Sequence, residues 1–261
     1  MNLARSIEET MSYAKEFGVQ LTFDELKQRL ISKDVYLDKE IKEGLSKNRL
    51  KNSLVKSNNN YWLITKTKKA KNLADIIGQK FKDILFIGLT GSVAAGYPAK
   101  NDDIDLLIIT KKDTLWIVRL LLRWYIFSHH LPHRRYGQQE KRDQFCFNFW
   151  LDENALKLPK DKHNLKNAID LVLMKPLINK DNIYKKFIEE NGWAKKYTAT
   201  GYNEILCLLA TQIPPNPPLK KGGAEILYIL NFLVFTPQFL FMWPKIGSEK
   251  VDLKRAFFHK D

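Results

Sequence analysis

The sequence is poor in cysteine and in acidic residues, and it lacks an apolar run at its start. Its two cysteines, Cys146 and Cys207, lie in unrelated contexts, which excludes a disulfide scaffold and a cysteine-based zinc site. So little cysteine is typical of a protein from a reducing compartment. The first residues are charged and show no secretory signal. We therefore expect a cytoplasmic protein.

The deficit of acidic residues leaves the chain strongly basic. Lysine and arginine number 43 against 29 aspartates and glutamates, which gives a formal net charge of +14. This excess favours anionic partners, namely nucleotides, nucleic acid or a phospholipid surface, and it does not determine the fold. With 261 residues, of which 44% are hydrophobic and 28% are charged, the chain can form one or two domains with an ordinary core.

One long apolar segment spans residues 226–243. It is barely long enough to cross a bilayer, which takes roughly 20 residues. Asn231 and the Thr236-Pro237-Gln238 step also interrupt it. Two interpretations stay open: a buried or interface helix pair, and a segment that associates with a membrane.

Residues 1–66 are predicted to form a winged-helix-like domain. Apolar residues recur at helical spacing, and Thr22 and Glu25 form a capping box before a second helix. Two β-prone runs, at 54–56 and 61–64, flank an Asn-rich turn and predict a hairpin after the third helix. Acids interrupt the lysines of that third helix, so DNA binding and a docking or substrate-positioning role both stay open. Nucleic acid is therefore one candidate partner of this domain.

Residues 67–160 are predicted to form a core of the α/β (α+β) class. Short apolar runs predict buried strands, and a strongly apolar segment predicts a helix. The strands are expected at residues 84–89, 104–110 and 145–151, and the helix at 115–128. From about residue 160 onward the pattern is helical, which predicts a helical C-terminal region over 161–261. A Pro/Gly-rich insert at 213–224 interrupts this region.

The residues that point to chemistry surround the first two predicted strands. Asp103 and Asp105 project from the same side of the second strand, because successive side chains alternate between its faces. Two carboxylates this close repel each other unless a cation lies between them, and hard oxygen ligands with open positions favour Mg²⁺. Gly91 permits a tight turn after the first strand, and Ser92 offers a hydroxyl and backbone N–H groups where a phosphate binds well. This order of elements predicts a triphosphate beside a carboxylate-held metal.

Thr90-Gly91-Ser92 followed by Asp103-Ile104-Asp105 resembles the signature of polymerase-β-like nucleotidyltransferases. The resemblance covers about residues 84–110. It implies that Asp103 and Asp105 hold Mg²⁺ and that the Gly91-Ser92 turn binds the phosphates of an NTP, with ATP as the expected one. It also implies transfer of a nucleoside monophosphate to an acceptor hydroxyl with release of pyrophosphate. More loosely, the chain is similar to uncharacterised bacterial proteins that carry such a domain behind a winged-helix-like N-terminus, and these imply no acceptor.

The sequence departs from the family pattern in its third carboxylate. Many members carry a further acid on a later strand, which binds metal or deprotonates the acceptor. Here the face that holds Cys146, Asn148 and Trp150 reaches an acid only at Asp152. Either Asp152 is the third acid, or Asn148 takes its place and the site has two carboxylates. The incomplete acid set also keeps open a DNA-binding regulator or a nucleotide sensor with a degenerate transferase domain.

Two further groups of residues are candidates near this site. Three histidines resemble a metal cluster, but Pro132 interrupts their spacing, which favours an interfacial or solvated role. They are His129, His130 and His133. Four basic residues lead into the third strand and either line the nucleotide pocket or form a solvated loop. They are Arg134, Arg135, Lys141 and Arg142.

Overall fold

The computed structural model describes residues 2–47, 50, 53–55, 60–134, 141–211, 224–246 and 250–258. Its five strands form one sheet in the order β4-β1-β2-β3-β5. They are β1 Ile84–Leu89, β2 Ile104–Thr110, β3 Phe145–Asp152, β4 Lys175–Asn179 and β5 Arg255–Phe257. The helices are α1 Leu3–Glu16, α2 Phe23–Gln28, α3 Asp38–Lys47, α4 Tyr61–Lys80, α5 Gly91–Ala95, α6 Leu115–Ser128, α7 Leu165–Leu173, α8 Ile183–Glu190, α9 Lys195–Ala210 and α10 Ala224–Met242. Strands β2 and β3 are parallel, with α6 as the crossover between them, and the other neighbouring strands are antiparallel.

Helices cover both faces of this mixed sheet. The β2 side chains Leu106 and Ile108 join a core with α4 and α6, whereas Leu107 and Ile109 join a core with α7, α8 and α9. This alternation follows from the pleat of the strand, and it explains why β2 is apolar on both faces from Leu106 to Ile109. The predicted α/β core is confirmed, including its three strands and the helix at 115–128.

The N-terminal helices form a small core of their own and pack on the rest of the chain. The capping box at the start of α2 is confirmed, since the Thr22 amide donates to Glu25 Oε2 at 2.8 Å and the Glu25 amide donates to Thr22 Oγ1 at 3.3 Å. Helix α2 lies directly against α9. Gly201 on α9 is so close to the Gln28 carbonyl at the end of α2 that a Cβ at position 201 would collide with it.

The predicted hairpin at 54–64 is wrong in its second half. Residues 61–64 open helix α4 instead of forming a strand. Asn60, which the prediction places in the turn, is the N-cap: its Oδ1 accepts from the amides of Trp62 at 2.9 Å and Leu63 at 3.3 Å. Residues 56–59 lie outside the described residues. The winged-helix order is therefore not found in the described part of the N-terminus, and α4 runs through residue 66, where a domain boundary was expected.

The helical C-terminal region is also only partly correct. Helices α7 to α10 are present, but β4 and β5 lie within 161–261 and complete both edges of the sheet, beside β1 and β3. The expected helix pair at 226–243 is a single helix, α10, with Pro237 inside it. Residues 213–223 of the predicted insert lie outside the described residues. No helix in the described ranges combines the length and the apolar character needed to cross a membrane.

Candidate active site

The glycine turn and the carboxylate pair meet at one end of the sheet. In the antiparallel register of β1 and β2, Leu89 lies opposite Leu106. The Thr90 amide donates to the Asp105 carbonyl at 3.0 Å, which continues this pairing by one residue. The turn that starts α5 is therefore a direct neighbour of Asp105.

Gly91 must be glycine for two independent reasons. Its φ of +64° lies in the left-handed region that side-chain-bearing residues rarely adopt. A Cβ at this position would also collide with the Asp105 carboxylate. The turn is thus shaped so that the carboxylate lies against bare backbone.

Asp103, Asp105 and Cys146 form the candidate metal site. One ligand atom of each, two carboxylate oxygens and a thiol sulfur, lie within 4.8 Å of one another. Asp103 and Cys146 are buried and Asp105 is half-buried. Cys146 belongs here because β3 is parallel to β2 and places it opposite Asp105 in the register. The carboxylates suit a hard divalent cation, whereas a thiol is a softer ligand.

Arg134 brings positive charge to this pair. Its Nη1 donates to Asp103 Oδ2 at 2.8 Å, and its amide donates to the Phe145 carbonyl at 2.9 Å. Of the four basic residues predicted near the pocket, Arg134 is therefore at the carboxylates. Arg142 lies over the ring of Trp62, 4.8 Å from its centroid. Lys141 is exposed, and Arg135 lies outside the described residues.

A buried lysine on α4 holds the loop before β2. Lys66 is fully buried on α4. Its Nζ donates to the Asp102 carbonyl at 2.6 Å, to the Lys100 carbonyl at 3.3 Å and to Asp143 Oδ1 at 3.1 Å. Because Asp103 follows Asp102 directly, Lys66 fixes the backbone on which the first carboxylate is carried.

Asp143 ties the loop before β3 to the same lysine. Lys69 also donates to it, from Nζ to Oδ2 at 2.7 Å. Burial raises the pKa of Asp143, but the hydrogen bonds from Lys69 and Lys66 outweigh that effect and hold the pKa below its ordinary value. The carboxylate therefore stays ionised and links the two loops that lead into β2 and β3.

The structure does not bring Asp152 to the carboxylate pair. It ends β3 opposite Thr110, the last residue of β2, whereas Cys146 is opposite Asp105. Six residues of strand at about 3.3 Å each separate Asp152 from Cys146, roughly 20 Å. The Asp152 carboxylate accepts from the amides of Asp113 at 2.6 Å and Asn154 at 2.9 Å. Burial raises its pKa to about 6 in spite of these two hydrogen bonds.

The remaining predicted residues are placed as follows. Ser92 lies in the first turn of α5, beside Gly91. The Asn148 side chain lies outside the described residues. Each of His129, His130 and His133 has its Nδ1 within 3.3 Å of a carbonyl oxygen two to four residues earlier, which fits the solvated interpretation better than a metal cluster.

Comparison with known proteins supports this geometry. Residues 70–192 match the model of the nucleotidyltransferase domain family. This match is consistent with the predicted resemblance to the polymerase-β-like superfamily over this segment. The match runs from α4 to just beyond α8, so it includes β4, which the sequence interpretation placed outside the core. No curated protein and no solved structure matches the chain.

Proposed function

We propose that this chain is a Mg²⁺-dependent nucleotidyltransferase that moves a nucleoside monophosphate from an NTP, with ATP as the expected donor, to an acceptor hydroxyl. The observation that carries this proposal is the contact between the Gly91 turn and the Asp103–Asp105 pair inside the segment that matches the family. The same proposal locates the protein in the cytoplasm, where NTPs are available.

The residues fit a bound divalent cation. Asp103 and Asp105 supply oxygen ligands close together, and the bare backbone at Gly91 lets the Asp105 carboxylate lie against the turn. When bound, the ion would supply charge stabilisation at the phosphates and orientation of the attack. Gly91 and Ser92 would hold the phosphates, and Arg134 is close enough to Asp103 to offer a guanidinium to the same anion. Asp152 takes a structural role in this proposal, capping the loop after β2.

The test is a transfer assay with labelled NTPs and Mg²⁺ against a small-molecule alcohol, an RNA end and a protein hydroxyl. We expect pyrophosphate release with label on one acceptor, and loss of both in Asp105→Asn. Asp83→Asn is the matched control, since Asp83 precedes β1 at the opposite end of the sheet and pairs with Lys111 at 3.0 Å. Equal activity of the two variants would contradict the assignment.

A second candidate, a nucleotide sensor that binds without transfer, is favoured by one observation. The strand position opposite Asp105 carries the Cys146 thiol, not a third carboxylate. Calorimetry and the transfer assay together separate the two functions. A sensor binds NTP in an Asp105-dependent way in calorimetry, and it releases no pyrophosphate with any acceptor in the transfer assay. Salt-sensitive binding of duplex DNA without turnover would extend this alternative to a DNA-binding regulator.

A further inference from the structure

Most of the large apolar side chains that are exposed to solvent lie on two helices. Of twenty-one in the described residues, four lie on α6, nine on α10 and one, Trp243, directly after it. We call this surface the α6–α10 face; it comprises α6 from Leu120 to Phe127, α10 from Ile226 to Phe241, and Trp243. Six of these fourteen side chains are aromatic. At roughly 150–250 Å² for each aromatic side chain, half-exposed, they alone leave on the order of 500 Å² of apolar surface in water. Monomeric soluble proteins rarely expose contiguous apolar patches of more than a few hundred Å².

The two helices present one continuous surface because they pack side by side. Asn231 Oδ1 accepts from the Trp116 amide at 2.8 Å, and Arg119 Nη1 donates to Gln238 Oε1 at 2.7 Å. A groove of about 480 Å³ runs between them, lined by apolar side chains of both helices and by Arg123 and Gln238. The polar contacts face inward, and the apolar side chains face solvent.

The exposed charge described on this face is an arginine, and the whole chain is strongly basic. Arg123 is exposed on α6 and lines the groove, and residues 114–134 contain no aspartate or glutamate. Residues 226–244 contain no charged residue, and Glu225 stands in the first turn of α10. The whole chain carries +14. A second copy would bring the same basic surface against this one, so charge disfavours self-association, whereas an anionic surface is complementary to it.

The chain itself offers little to cover the face. Outside the described residues, the large apolar side chains apart from four prolines are Met1, Tyr136, Ile213 and Leu219. Four such side chains are too few to bury the fourteen exposed apolar side chains of the α6–α10 face. Within these 261 residues little remains that could cover the face, which suits an occupant with an apolar interior and an anionic surface.

We infer that the α6–α10 face binds an anionic phospholipid surface, with both helices lying on the membrane and not across it. Trp124 is 69% exposed and Trp243 is 63% exposed, and tryptophan is enriched at the level of lipid headgroups. Exposed leucine and phenylalanine supply the apolar area that enters the acyl boundary, and arginine pairs with lipid phosphate. The inference is independent of the proposed transfer reaction, because the face uses none of the residues of the carboxylate site.

Flotation of the full chain with lipid vesicles tests this inference. We compare vesicles of phosphatidylglycerol and phosphatidylcholine with vesicles of phosphatidylcholine alone, at low and high salt. We expect binding to the anionic vesicles that weakens with salt, and at least tenfold weaker binding in Trp124→Glu. Leu208→Glu is the matched control, since Leu208 is 67% exposed on α9, and it should bind like the unmodified chain. Acyl chains brominated near the headgroup should quench the tryptophan fluorescence.

Several outcomes would overturn the inference. Equal binding to neutral and anionic vesicles would remove the role of charge, and an equal loss in Leu208→Glu would remove the role of the face. Absence of vesicle binding together with a dimer that Trp124→Glu dissociates, measured by light scattering, would assign the face to a second copy. Circular dichroism and thermal unfolding show that each variant is folded. Asp105→Asn should bind vesicles normally, which separates this result from any failure of the transfer assay.

Discussion

Replacing Lys66 with methionine tests how the loop that carries Asp103 is held. Methionine keeps the length and the apolar stem of the lysine but removes its charge and its three donated hydrogen bonds. The Asp102 and Lys100 carbonyls lose their donor, and Asp143 loses one of its cations. Because Lys66 is fully buried, water does not replace these contacts without a rearrangement of α4.

The magnitude follows from what each partner keeps. Removing one member of a buried ion pair costs about 3–5 kcal/mol. Asp143 retains Lys69 and Arg142, and its side chain is 16% exposed, which lowers the penalty for its charge. Each carbonyl that loses its hydrogen bond adds about 1 kcal/mol. We therefore expect a loss of about 3 kcal/mol in the free energy of unfolding.

Urea unfolding of Lys66→Met beside Lys69→Met provides the measurement. Lys69 pairs with the same carboxylate but is 42% exposed, so its loss should cost about 0–1 kcal/mol. Mg²⁺ affinity, measured by calorimetry, should fall in Lys66→Met and stay unchanged in Lys69→Met. Equal costs for the two variants, or a loss below about 1 kcal/mol for Lys66→Met, would refute the reasoning from burial.

The same pair makes stability depend on pH in a known direction. The native pKa of Asp143 is lowered relative to about 3.9 in an unfolded chain. Its contribution is therefore fully present above about pH 4 and is lost as the pH falls through the native value. Lys66→Met should reduce this acid-induced loss, because the Asp143 carboxylate then lacks one of the cations that lower its pKa.

Three further substitutions test the site. Asp105→Asn should abolish transfer yet leave the free energy of unfolding equal or slightly higher, since it relieves repulsion with Asp103; a clear loss in urea unfolding would contradict this. Gly91→Ala should cost about 1–2 kcal/mol of left-handed strain and also lower Mg²⁺ affinity by displacing Asp105. Gly18→Ala is the control, since Gly18 has φ +71° and a Cβ there would have nothing within 4 Å. It should lose the same free energy of unfolding and leave Mg²⁺ affinity unchanged. Asp152→Asn should change kcat less than about threefold, against the 10²–10⁴-fold loss expected of a general base. Because burial raises the pKa of Asp152 to about 6, its stability contribution is present below about pH 4 and lost as pH rises through 6, and the variant should lack this slope.

The sequence predicts the central strands well because burial on both faces leaves an unmistakable apolar run. It does not predict β4, which is Lys175-Pro176-Leu177-Ile178-Asn179. This is a short edge strand with a proline and exposed ends, so neither an apolar run nor an alternation marks it. At residues 61–64 local β-propensity is real, but the cap at Asn60 and the packing of α4 on the sheet override it.

The candidate site shows the same division between local and distant information. Gly91, Asp103 and Asp105 could be predicted together because two adjacent strands and a short turn bring them together. The choice between Asp152 and Cys146 depends on the direction of β3. A signal for that direction was present: a helix of the length of α6 between two strands is typical of a parallel crossover. A parallel β3 begins at the end of the sheet where β2 begins, and this places Cys146, not Asp152, beside Asp105.

The N-terminal helices and α4 contribute to the site through the backbone they hold. Arg29 Nη2 donates to the Ala95 carbonyl at the end of α5, at 3.2 Å, and Asn60 Nδ2 donates to the Pro98 carbonyl at 3.2 Å. Lys66 holds the two carbonyls that follow along the same loop. Side chains of the N-terminal part of the chain thus hydrogen-bond to successive carbonyls of the segment from the glycine turn to Asp103. All three residues, Arg29, Asn60 and Lys66, precede the segment that matches the family. Since the glycine turn and the first carboxylate lie at the two ends of that segment, the geometry of the carboxylate site depends on this packing.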